Sequence, residues 1–156
     1  MLKLQKMTLN EYEIFRANCI SLYIKEKIRA NGFTEEEATK IANDDFNRIL
    51  PDGFNSKNNF LLALVFDNSC VGHLWYCIRG IEKIKRAFIC DIFINENSRG
   101  KGLGRKAMTL LESEVKSQNI SKIELHAFGH NEIAINLYKS LGYIITDVNM
   151  EKKIVK

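Results

Sequence analysis

The chain has one proline in 156 residues, no C-x-x-C pair and no low-complexity tract, and its longest apolar run is Phe60–Phe66. Each absence excludes something. Without proline-rich or repetitive stretches there is no linker to divide the chain, and a hydrophobic fraction of 46% against 27% charged residues is that of a globular domain, not a disordered one. An apolar run this short cannot cross a bilayer, which takes about 20 residues, and Met1-Leu2-Lys3-Leu4-Gln5-Lys6 has no signal-like apolar core. A cytoplasmic protein with no membrane partner is the expectation. Cys19, Cys70, Cys77 and Cys90 show no metal-ligand spacing, so the sequence predicts reduced structural thiols and no metal. The excess of 23 basic over 19 acidic residues suits a small polyanionic ligand and argues little for nucleic acid.

What is present reads as one α/β domain over residues 1–156. Apolar residues at Tyr12, Phe15, Cys19, Leu22 and Tyr23 recur at helical spacing, and Asn31-Gly32 ends that helix. Thr34-Glu35-Glu36-Glu37 is a capping box that opens a second helix through Ala38, Ile41, Ala42, Phe46, Ile49 and Leu50, closed by Pro51-Asp52-Gly53. Phe60–Phe66, a turn at Asp67-Asn68 and Cys70–Ile78 predict an antiparallel hairpin, with a third strand over Arg86–Ile94. A helix with Leu103, Ala107, Leu110, Leu111 and Val115 on one face comes next, then a strand over Lys122–Phe128. A helix over Asn131–Leu141 and one or two strands within Tyr143–Val155 complete the prediction.

The segment Ile89-Cys90-Asp91-Ile92-Phe93-Ile94-Asn95-Glu96-Asn97-Ser98-Arg99-Gly100-Lys101-Gly102-Leu103-Gly104-Arg105 carries the chemistry. It runs strand, glycine-rich loop, helix. Glycines at 100, 102 and 104 let backbone approach an anion, the helix start offers free N–H groups and a positive dipole end, and Arg99, Lys101 and Arg105 add countercharge. A phosphate ligand follows. The letters from Gly102 to Ala107 also fit a dinucleotide fingerprint, with Glu124 where the ribose-binding acid would stand. In that fold, however, the first glycine comes directly off the strand, whereas Asn95–Lys101 intervene here. No G-x-x-x-x-G-K-[ST] loop occurs.

Arg99-Gly100-Lys101-Gly102-Leu103-Gly104 resembles the [QR]-x-x-G-x-[GA] acyl-CoA loop of the GNAT N-acetyltransferases. Asn131-Glu132-Ile133-Ala134-Ile135-Asn136-Leu137-Tyr138-Lys139-Ser140-Leu141-Gly142-Tyr143 resembles that family's second block. Leu50-Pro51-Asp52-Gly53 and Val71-Gly72-His73-Leu74-Trp75 further resemble an uncharacterised bacterial branch of it. The resemblance implies a single GNAT-like domain: a central, mostly antiparallel sheet of six or seven strands, helices on both faces, and central strands splayed where CoA enters. It implies acetyl-CoA as cosubstrate and transfer of the acetyl group to a primary amine, on a small molecule or a peptide, by direct attack in a ternary complex. A homodimer is compatible with it. Backbone N–H groups of Ile92 and Ile94, flanking Phe93, would bind the pantetheine arm and thioester carbonyl. Arg99, Gly100, Lys101, Gly102, Leu103, Gly104 and Arg105 would hold the pyrophosphate, Asn131 and Ala134 would contact CoA from the second block, and Tyr138 would be the general acid.

The chemistry needs a neutral amine, a stabilised oxyanion and a protonated leaving thiolate. A lysine-like amine is neutral about once in 2,500 molecules at pH 7, so a base or desolvation must help. Asp91 is the first candidate base, with His73, His126 and Glu96 in reserve; His73 and His126 also read as structural histidines and Trp75 as core. Cys90 beside the thioester site leaves a covalent route open but has no partnered base in the sequence. Two rival readings are a non-catalytic acyl-CoA sensor and a transferase of a longer acyl group. No motif identifies the acceptor.

Overall fold

Threonine side chains start both long helices. In the computed structural model, which describes residues 1–155, Thr8 Oγ1 accepts the Glu11 N–H at 3.2 Å while Glu11 returns a carboxylate oxygen to the Thr8 N–H at 2.7 Å. Thr34 and Glu37 repeat the exchange at 3.2 and 2.9 Å. Each such cap contributes about 1 kcal/mol and sets the entry point of its helix. These helices are α1 (Leu9–Asn31), ended by Gly32 at φ 68°, and α2 (Glu35–Ile49). Before them stands a short strand, β1 (Leu2–Lys6); after them come β2 (Asn59–Phe66), β3 (Ser69–Arg79), β4 (Arg86–Ile94), α3 (Leu103–Ser117), β5 (Ile123–Leu125) and α4 (Glu132–Ser140). The described residues form two compact units, Met1–Leu125 and a second beginning at His126.

In the first unit the strands form one sheet in the order β1-β2-β3-β4-β5, antiparallel except for the parallel β4–β5 pair. The β2–β3 hairpin turns through Asp67 and Asn68, both at positive φ (49° and 65°), the twist that two-residue hairpins favour. Alternation along the strands sends Leu61, Ala63 and Trp75 to one face, where they bury against Tyr12, Phe15 and Cys19 of α1 and Phe46 of α2. Leu64, Leu74, Tyr76, Ala87 and Ile89 take the opposite face, and α3, with Ala107, Met108 and Leu111 fully buried, packs against β1 and β4. Helices on both faces are thus as expected.

The sheet differs from expectation in its ends. Among the described residues it has five strands, not six or seven. The strand β1 went unanticipated because Leu2 and Leu4 alternating with Lys3 and Gln5 make too short a pattern to separate from chance. Strand β5 stops at Leu125 instead of Phe128. Tyr143–Val155 holds no strand: a strand exists through its ladder bonds, and this stretch has no sheet partner among the described residues, with Ile144, Ile145 and Val148 at 82%, 60% and 68% exposure.

Candidate active site

The site begins with a register shift. Trp75 faces Asp91 and Tyr76 faces Ile89, so Cys90 is an extra residue on β4, a β-bulge. Across it the alternation resets. Phe88 lies opposite Cys77 on the α1/α2 face, Cys90 packs against the same core, and Asp91, opposite Trp75, returns to that face. Asp91 and Phe93 therefore project toward α1, while Ile92 and Ile94 face the α3 side opposite Leu74 and Gly72. At Gly72 the two strands approach so closely that a Cβ would collide with the Phe93 carbonyl oxygen. Glycine there follows from the strand approach that this site requires.

On the α1/α2 face three side chains meet. Asp91 Oδ2 lies 2.6 Å from His73 Nε2 and accepts the Cys19 S–H at 3.1 Å, and Cys19 Sγ stands 3.9 Å from His73 Nε2. The His73 ring is held edge-on to Phe15 at 4.7 Å and stacked on Phe93 at 5.5 Å, so its orientation is set by packing. Asp91 keeps 38% of its side-chain exposure and His73 16%, which leaves the carboxylate reachable from solvent. Burial, then the adjacent Asp91 charge and hydrogen bond, push the Cys19 thiol far up, so it remains a donor at neutral pH. Thus His73 does more than stack in the core, and Cys19, read from sequence as a thiol without a histidine partner, lies beside one. Trp75 is core, 3% exposed, with its indole N–H donated to Asn59 Oδ1 at 2.9 Å.

Cys90 is unsuited to attack a thioester. Its thiol donates to Cys77 Sγ at 3.6 Å, and that bond, with burial added, pushes it upward. The same hydrogen bond draws Cys77 down, with Arg79 helping against burial. A thiol pushed upward, as that of Cys90 is, stays protonated and is a poor nucleophile.

Toward β5 the edge of β4 is open beyond Ile89. The parallel ladder consists of Ala87, Phe88 and Ile89 against Ile123, Glu124 and Leu125, and no strand among the described residues continues it. Asn95 N–H donates to Val71 O at 2.8 Å on the β3 side, so by alternation the N–H groups of Ile94 and Ile92 point to the open edge. Arg99 reaches back over the Phe93 ring, 5.2 Å to its centroid, and its Nε donates to Ile94 O at 2.9 Å. Beyond it Gly100 and Gly102 take φ 74° and 71°, and a Cβ at either would meet no atom within 4 Å. Gly102 is the N-cap of α3 and, having no side chain, offers no side-chain acceptor to the first turn of the helix. Backbone donors at a helix start, flanked by cationic side chains, are what a pyrophosphate requires. Lys101 is exposed on this loop. Glu124, the acid a dinucleotide fold would use, is bound instead to Arg86 at 3.1 Å and Lys122 at 3.4 Å.

The second unit carries the other block. Asn131 Oδ1 caps α4 by accepting the Ala134 N–H at 3.3 Å, and Tyr138 stands one turn beyond Ala134, its ring 5.9 Å from that of Tyr143. His126 is outside β5, edge-on to Phe128 at 5.1 Å. Glu96, another reserve base, is exposed in a short 3-10 turn, Glu96–Ser98.

Sequence reasoning missed the joining of Cys19, His73 and Asp91. Part of the signal was present: Cys19 shares a helical face with Tyr12 and Phe15, and His73 shares a strand face with Trp75. What was hidden is the bulge, which alone decides the face that Asp91 takes.

Comparison with known proteins agrees with this fold. Residues 16–143 match the model of the acetyltransferase (GNAT) family. The uncharacterised N-acetyltransferase YdgE of Bacillus subtilis is 31% identical over 152 residues, 97% of each chain. The crystal structure of YycN from the same organism superposes at a TM-score of 0.93 with 30% identity over 100% of both chains. A predicted acetyltransferase of Clostridium acetobutylicum, solved with acetyl-CoA, shares the fold at a TM-score of 0.61 and 19% identity, over 99% of this chain and 97% of that one. A β4 edge unpaired beyond Ile89, a glycine-rich helix start and a family match over most of its length make this chain an acetyltransferase of the GNAT family.

Proposed function

We propose that this enzyme transfers the acetyl group of acetyl-CoA to a primary amine by direct attack, with Asp91, held against His73, taking the amine proton. The observation that carries this is the bulge at Cys90, which turns the Asp91 carboxylate and the Ile92 N–H to different sides of one short strand segment. A base and an oxyanion donor thereby stand within two residues, on the α1 side and at the open edge respectively. Acetyl-CoA supplies the activated acyl group; the Clostridium acetobutylicum neighbour was solved with it. The chain's residues fit it: two left-handed glycines with open space beside them, a helix start whose N-cap glycine supplies no side-chain acceptor, and Arg99, Lys101 and Arg105 as countercharge.

Asp91 and His73 share the proton the amine loses, since one carboxylate oxygen contacts the ring nitrogen. The N–H groups of Ile92 and Ile94 orient the carbonyl and stabilise charge on its oxygen. Asn131, with Oδ1 used as the cap, offers its amide nitrogen to CoA, Ala134 keeps that helix face small, and Tyr138 protonates the departing sulfur. One transferase domain spanning 1–156, working in the cytoplasm on a small-molecule or peptide amine, fits this reading; no membrane-spanning helix exists among the described residues.

A screen of amine acceptors with acetyl-CoA, following thiol release, tests it. With a working acceptor, Asp91→Asn lowers kcat/KM at neutral pH at least about tenfold and removes the acidic limb of the pH profile. Tyr138→Phe lowers kcat by about 10² to 10⁴-fold with acetyl-CoA affinity within a few-fold. An acidic limb that survives in Asp91→Asn and vanishes in His126→Gln would move the base to His126.

A further inference from the structure

The geometry points to a divalent-cation site of the zinc class made by Cys19 Sγ, His73 Nε2 and Asp91 Oδ2, whose filling switches off the proposed base. Zinc takes thiolate, imidazole and carboxylate together, at about 2.3, 2.0–2.1 and 2.0–2.2 Å. The three atoms are separated by 3.9, 3.1 and 2.6 Å, and a triangle of those sides has a circumscribed radius of about 2 Å. A point about 1 Å off its plane is therefore about 2.2 Å from all three, within the bonding range, without moving any side chain far. Among the described residues these three form the one group of such ligands that converges this closely.

Three further features suit a cation. The ligands come from α1, β3 and the bulged part of β4, all within the first unit, so the scaffold holds them before any ion arrives. Phe15 and Phe93 clamp the imidazole, which fixes the direction of Nε2. Asp91 is 38% exposed, so an ion can enter from solvent and keep water in its fourth position. A thiol beside a carboxylate and an imidazole selects borderline or soft ions over magnesium or calcium.

Binding is an exchange: the Cys19 S–H bond breaks, an S–metal bond forms, and one proton leaves to solvent, while His73 coordinates neutral and Asp91 ionised. The thiol proton now given to Asp91 is the proton lost. With the ion in place Asp91 and His73 no longer accept a proton from the amine, so zinc inhibits transfer. The metal site itself stands without the transfer reading; only its inhibitory consequence rests on it.

Cobalt(II) and zinc(II), added to the full chain without acetyl-CoA or acceptor, test the site. Wild type takes up one cobalt, releasing about one proton, with a thiolate-to-metal charge-transfer band and the visible bands of a four-coordinate ion; zinc displaces the cobalt and removes both. Cys19→Ser, His73→Gln and Asp91→Asn each weaken zinc by more than about tenfold, the scale on which even outer-shell partners act. Cys19→Ser abolishes the charge-transfer band while Cys77→Ala keeps it. A band that persists in Cys19→Ser and disappears in Cys77→Ala places the ion at the Cys77–Cys90 pair and overturns the proposal, as does no cobalt uptake by a folded wild type. In the acceptor assay zinc inhibits wild type, and Cys19→Ala needs at least about tenfold more zinc for the same inhibition. Cobalt held through Cys19 without acetyl transfer to any amine refutes the transfer reading and leaves the metal site standing.

Discussion

The two faces of β3 and β4 are built from adjacent residues and do opposite work. On the α3 face Leu74, Tyr76, Ala87 and Ile89 pack with Met108 and Leu111 in a dry, nearly all-carbon layer; on the α1/α2 face His73, Trp75, Cys77, Cys90 and Asp91 bring imidazole, carboxylate and thiols among aromatic rings. The dry face has one requirement, to exclude water, and any residue of the right shape meets it. The mixed face keeps reactive groups apart from bulk water yet reachable, at the cost of packing density around Asp91. Reactive side chains concentrate on the face that is incompletely closed, while the sealed face supports it from behind.

Substitution of neighbours that face opposite ways separates these tasks most sharply. Leu74→Ala opens a cavity in a fully buried site and should cost about 2–5 kcal/mol, roughly 4–20 °C of Tm. His73→Ala, one residue away on the other face, should cost only about 1 kcal/mol, near the net value of one hydrogen bond, while impairing transfer. Thermal melts of the two variants measure this contrast, and equal losses would mean that the mixed face carries as much of the fold as the dry one.

A middling effect is expected where α3 leaves the dry face and meets ligand. Acetyl-CoA at 100 times its Kd stabilises wild type by about 2.7 kcal/mol. Gly102→Asp should remove that melting shift, because residue 102 sits at φ 71° beside the row of N–H donors and the new carboxylate repels phosphate. A shift retained in Gly102→Asp, or one given by NAD and not by acetyl-CoA, would relocate the nucleotide.

The smallest effect concerns the helices that cover the mixed face. Asp45 on α2 accepts the Tyr23 hydroxyl of α1 at 2.5 Å and an Arg48 N–H at 2.9 Å. Burial would raise its carboxyl, but those two hydrogen bonds and the Arg48 charge win and lower it. A folded pKa below the unfolded one gives stability that is present above the unfolded value, about 3.9, and lost as pH falls through the folded one. Asp45→Asn should therefore flatten the acid end of the stability curve and leave the neutral region little changed. Burial, then the Asp45 bond, also hold Tyr23 up at about 12, so the same link opens as pH rises toward that value. Denaturant melts at pH 3 and pH 7 give the comparison.

Local elements were legible because their causes are local. The Thr34 capping box, the Asp67-Asn68 turn and the Gly102 start of α3 each specify their backbone through atoms a few residues apart. The glycine-rich loop with its basic residues could likewise be read as an anion site, since its donors belong to consecutive residues. The strand ends could not. Whether β1 exists, and whether Tyr143–Val155 forms strands, depends on a ladder partner far along the chain.

By itself the sequence determined the helices, the hairpin, the glycine-rich loop that opens α3 and the family that those blocks denote. Tertiary structure alone decided the face on which Asp91 stands. An unbroken β4 would keep strict alternation with Ile89, and Asp91 would share the dry side; the extra residue at Cys90 reverses that and brings the carboxylate to His73 and Cys19. A bulge is a property of two paired strands, and side-chain period within one strand carries no trace of it.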